Sequence, residues 1–174
     1  ADFTASNLSN SSKGSIPGEV MIHELVHQWW GLGNMFDTSD ETSAWSAEGL
    51  TVYTTYRIVK ELYGEDYAQK HYVQQWQQAV DDYYLNFYVR NPNYLNMLPQ
   101  DKQLEITNDL TYVRQYCEMP LKIQKAEELC GGEEAMDEVL HSLFNRELDP
   151  AYPYLTYQEF LDACGLSEED LNLA

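Results

Sequence analysis

Residues 22–31 read Ile22-His23-Glu24-Leu25-Val26-His27-Gln28-Trp29-Trp30-Gly31, two histidines and a glutamate set among apolar and aromatic neighbours. Burying such groups without partners costs roughly 2 kcal/mol or more each. Something must therefore satisfy them. Val20, Met21, Leu25, Val26, Trp29 and Trp30 fit a mostly buried helix over 19–30, opened after Pro17-Gly18 and stopped by Gly31 and Gly33. On such a helix His23 and His27, four residues apart, project from one face one turn apart, so their imidazoles can converge on a single ion. Glu24 points about 100° further round, which suits a base beside a metal better than a ligand. Two histidines leave a zinc ion two ligands short of tetrahedral. Catalytic zinc sites take one more ligand from the protein and keep the last position for water.

Working outward, the third ligand is sought on the next helix. Residues 32–43 form a polar loop, and a second helix is predicted over 45–63, ended by Gly64. Glu48, in Trp45-Ser46-Ala47-Glu48-Gly49-Leu50, sits at its start on an otherwise apolar stretch, and a first-turn acid also suits the helix dipole. Glu41 competes for the same role, although its place beside Asp40 in the polar loop suits a solvated charge. A long third helix is predicted over 65–89, then a Pro/Asn-rich connection at 91–101. Further helices follow near 109–130, 133–146 and 156–164, with Gly131-Gly132 and residues 148–155 as breaks. No segment alternates with period two, so the fold class is mainly α.

The 174 residues carry 29 acidic and 10 basic side chains, a formal charge of −19, which argues against nucleic acid as a partner. Neither a signal peptide nor a spanning helix is visible, and localisation stays open. The Ser/Asn/Gly-rich residues 1–18 read as a polar linker ahead of a helical domain over 19–174, a fragment of a longer protein. Cys117, Cys130 and Cys164 lie far apart without a C-x-x-C pair and read as small core residues. His71 and His141 are expected at the surface or core edge. The four tryptophans, Trp29, Trp30, Trp45 and Trp76, are expected to pack around the helix pair.

The segments His23–Gly31 and Trp45–Tyr53 together resemble the HELAHQWFG and W-x-N-E-G-F-A pair of the aminopeptidase-N-like gluzincin zinc peptidases, whose fold is thermolysin-like. The resemblance implies one zinc ion held by His23, His27 and Glu48, Glu24 as general base, and peptide-bond hydrolysis, with a peptide as substrate. It also implies an oxyanion-stabilising tyrosine ahead of a helix ending in Gly-Gly. Aligned on Gly131-Gly132, that position is Tyr116, with Tyr112 one helical turn away as its rival. Three departures accompany it. Twenty residues, not eighteen, separate His27 from Glu48; Glu118-Met119 stands where the family has Lys-Gly; and no G-x-M-E-N amine-binding segment occurs. The resemblance covers the helical half of the catalytic domain. The HQWWG and WSAEG wording is similar to a bacterial subgroup appended to permease-like proteins of the ABC-transporter type, which implies a membrane tether. A zinc-containing peptide-binding module with little turnover is the alternative function.

Overall fold

Helix α2, Glu48–Tyr63, explains the architecture, because its N-terminal half is buried almost all round: Leu50, Thr51, Val52, Tyr53, Thr55, Tyr56 and Val59 are enclosed. An α-helix apolar on every side belongs at the centre of a fold. Neighbours cover α2 on several sides, among them α1 (Glu19–Val26), the short α3 (Glu65–Ala68) and α8 (Met119–Cys130). The computed structural model describes residues 19–34, 36–37 and 45–173. Among the described residues there is no strand, only an isolated bridge between Trp30 and Asn34. The protein is mainly α, as the sequence implies, and no described helix is long and apolar enough to cross a membrane. The expected linker over 1–18, and Glu41 with Asp40, lie outside the described residues.

The long third helix of the sequence reading is interrupted. It runs as α3, a π-helical turn Gln69–Val73, α4 (Gln74–Leu85) and, after Asn86 turns to extended backbone, α5 (Phe87–Arg90). The Asn86 side chain accepts the Tyr88 N–H and caps the new helix, which is the physical reason for the break. A short α6 (Pro92–Leu95) follows. The helix expected from 109 begins nine residues earlier, as α7 (Gln100–Val113). Pro99 delimits its start, and the rod continues through a second π-helical turn, Arg114–Glu118, into α8. Gly131, at φ 112°, ends α8 in a left-handed conformation that other residues rarely adopt. Helix α9 (Glu133–Phe144) and α10 (Tyr157–Cys164) complete the fold, α10 opened by a capping box between Thr156 and Glu159.

Two expectations about the first helix are corrected. It stops at Val26 rather than Trp30, and among the described residues only one side of it is covered: Val26 and Trp30 are buried, while Leu25 and Trp29 are 60% and 53% exposed. Val20 and Met21 are exposed too. A short helix lying on the outside of α2 buries one stripe, and apolar residues on its far side stay at the surface. Trp45, by contrast, is fully enclosed against Phe160 and Tyr157, with ring centroids 5.1 and 5.8 Å away. Of the cysteines, Cys117 is buried, and Cys130 and Cys164 are half-buried. His141 lies at the surface, whereas His71 sits in a cleft.

Candidate metal centre and active site

The turn after α1 shapes the site. Beyond Val26 the chain makes one more helical bond, His27 N–H to His23 carbonyl at 3.3 Å, and then folds back, Leu32 N–H donating to the His27 carbonyl. Gly31 makes this possible. Its φ is +91°, and a Cβ there would stand 3.4 Å from His27 Nδ1. The returning segment is pinned by Arg146, two residues beyond the end of α9, whose Nη1 donates to Asn34 Oδ1 at 2.7 Å and whose Nε pairs with Glu159 on α10. Trp30 seats the turn on α2 by donating from Nε1 to Thr54 Oγ1 at 3.1 Å. None of these anchors is signalled by local sequence, because each joins residues 13 or more apart.

Within this frame His23, His27 and Glu48 come together, although His27 falls just past the last helical residue rather than inside the helix. The His23 and His27 Nε2 atoms are 3.1 Å apart, and Glu48 Oε2 stands 3.3 Å from the first and 3.6 Å from the second. His27 Nδ1 lies 3.0 Å from the Trp30 carbonyl, which can only accept, so the proton is on Nδ1 and Nε2 turns a lone pair inward. Thr51 Oγ1, 3.2 Å from the same Nδ1, holds the ring from α2.

One proton on His23 Nε2 satisfies only one of its two neighbours, and Glu48 Oε2 is enclosed without a hydrogen-bond partner. A cation fits that deficit. A tetrahedral ion with bonds of about 2.0–2.1 Å sets its ligands about 3.3–3.4 Å apart, and the three separations here bracket that spacing. The donor set of two imidazoles and a carboxylate also suits zinc. Burial works to raise the Glu48 carboxyl, but the hydrogen bond with His23, the electrostatic pull of the two histidines and the Tyr116 hydroxyl outweigh it and hold it below the usual carboxylate range.

Tyr116 reaches this group from the π-helical turn of 114–118. Its ring stacks over His23 at 6.3 Å and over Tyr112 at 4.8 Å. Burial, then the Glu48 carboxylate, push its hydroxyl pKa well up, so it keeps its proton as a hydrogen-bond donor. Glu24 is exposed on α1, and its charge is felt at Tyr116. Tyr112, the rival, lines the same cleft but is more exposed. That cleft, about 600 Å³, opens beside His23 and is walled by Tyr116, Val52, Tyr72, Trp76 and Ala79. The π-helical turns at 69–73 and 114–118 both border it, through Tyr72 and Tyr116. Single π turns shift helical register and recur at functional sites. Periodicity alone gives no sign of them, so the cleft is invisible in the sequence.

With this geometry in view, the class is a helical domain offering a two-histidine, one-carboxylate pocket beside a cleft. The model of the Peptidase family M1 domain matches residues 3–146, and the chain belongs to that family. Leucine aminopeptidase 2 of Emericella nidulans is 30% identical over 100 residues, 58% of this chain and 16% of that protein. Leucine aminopeptidase 2 of Neosartorya fischeri is 33% identical over 79 residues, 45% of this chain and 12% of that protein. The chain thus spans only a small part of the curated relatives it matches. No solved structure matches it significantly.

Proposed function

We propose that the chain hydrolyses peptide bonds at one zinc ion held by His23, His27 and Glu48, with Glu24 as general base and Tyr116 as oxyanion donor, in an aminopeptidase-like reaction. The observation that carries this reading is the convergence of three donor atoms within 4.8 Å of one another around an unpartnered carboxylate oxygen. When bound, zinc supplies Lewis acidity that polarises the scissile carbonyl and acidifies water.

The chain's own residues do the rest. Glu24, next in sequence to a ligand yet exposed, removes the proton of the attacking water and returns it to the leaving amine. Tyr116, protonated at working pH, donates to the oxygen on which negative charge develops. The second ring nitrogen of His27 is engaged by the Trp30 carbonyl and Thr51, which keeps Nε2 aimed inward. Peptides are the substrate class.

The test is metal content by mass spectrometry, followed by hydrolysis of amino-acid anilides and short peptides. Wild type should hold near-stoichiometric zinc and Glu48→Ala should lose it. Glu24→Gln should keep zinc and lose turnover by about 10²-fold or more. Zinc loss in Glu24→Gln, or turnover in the metal-free protein, would overturn the assignment.

A further inference from the structure

Glu19 opens α1 one turn before His23, about 6 Å along the helix axis, and lines the cleft. Its Oε1 accepts a hydrogen bond from the Tyr72 hydroxyl at 2.6 Å, while Oε2 is enclosed without a partner. Among the described residues no ion pair involves Glu19. No lysine or arginine among them lines the cleft, and Glu19 is the one carboxylate that does. A half-buried carboxylate held by a single neutral donor is short of one cation.

The lining shared by Glu19 and His23 is mixed: Val52, Trp76 and Ala79 are apolar, Tyr72 closes the side, and Thr55, Gln75 and the imidazole of His71 are its polar members. Apolar and aromatic wall residues beside a carboxylate match a long aliphatic stem with a cationic head. Such a stem packs along the walls, and the head gains from aromatic faces as well as from the carboxylate. The span from His23 to Glu19 is one that a lysine or arginine side chain covers. The formal charge of −19 draws cationic peptides toward the protein as a whole.

We propose that Glu19 is a specificity-determining residue that receives the ammonium or guanidinium of a basic side chain in the cleft, so that the site prefers peptides with a lysine or arginine beside the reacting bond. This rests on the hydrolytic reading only for the direction in which the peptide lies. Its test is binding, which needs no turnover.

Tripeptides of alanine carrying lysine, or its neutral isostere norleucine, at each position in turn are titrated calorimetrically into the zinc-loaded chain, with free and with acetylated amino termini. In wild type the lysine peptide at one position should bind about tenfold more tightly than its norleucine partner, the scale of a charge-assisted hydrogen bond. Glu19→Gln keeps an acceptor for Tyr72 and should bring that ratio near one. Equal affinities in wild type would overturn the proposal without reference to any variant. So would a preference that survives in Glu19→Gln, or one that follows the free terminus instead of the side chain. Equal binding alongside anilide hydrolysis would leave the catalytic reading standing. Selective binding without hydrolysis would leave this proposal standing alone.

Discussion

Helix α2 carries two polar clusters of opposite character. At its first turn Glu48 meets His23 and His27, and the carboxylate oxygen nearest both rings has no hydrogen-bond partner. Farther along, Tyr53 donates to the buried Glu127, and Arg57 donates to the Tyr53 oxygen at 2.9 Å and to Glu127 at 3.2 Å. Arg57 also reaches Asp137 and Glu133. Burial first, and then Glu127, raise the Tyr53 hydroxyl pKa beyond its ordinary range, so that hydroxyl keeps its proton as a donor to Glu127. The second cluster is closed by groups of the chain itself. The first is open, with donors facing one another across a space that suits an ion. Full satisfaction stabilises a fold, whereas a deliberate deficit, held rigidly, is what a binding site requires.

The largest expected effect would sharpen this contrast at the closed cluster. Arg57→Met leaves Glu127 buried beside Tyr53 without its cation and should cost about 3 kcal/mol or more of stability, read as a lower urea midpoint, with zinc stoichiometry unchanged. A stable variant, or one that loses zinc, would mean the two clusters are not separable. Next comes the open cluster. Tyr116→Phe should lower kcat about 100-fold, near 3 kcal/mol of transition-state stabilisation, while KM and zinc content hold. If Tyr112→Phe produces that fall instead, the oxyanion role belongs one turn earlier. The smallest effect is expected at Thr51→Val, which removes an oxygen from behind His27. Zinc affinity, measured by competition with a chelator, should weaken about tenfold, and an unchanged affinity would show that the Trp30 carbonyl alone orients the ring.

Much of the site was legible because it rests on local geometry. The spacing of His23 and His27 and the apolar setting of Glu48 and, through the family resemblance alone, the alignment of Tyr116 on Gly131-Gly132 led to residues that the structure brings together. Helix ends were legible where a glycine left no alternative, as at Gly64 and Gly131, but not at Pro99, where the helix starts nine residues before the expected 109. The reading failed where periodicity was mistaken for burial. Leu25 and Trp29 keep the helical pattern yet face outward, and Trp76, expected as packing, also forms a cleft wall.

By itself, then, the sequence determined a mainly helical chain, the place of its first two helices and the residues able to converge on a metal, because turn chemistry and side-chain spacing act over a few residues. Tertiary structure decided the rest. It set the closed network of Arg57, the hub at Arg146, the π-helical turns at 69–73 and 114–118, and the cleft in which, among the described residues, Glu19 forms no ion pair. These depend on which distant surfaces meet, and that is fixed only when the other helices pack around the N-terminal half of α2.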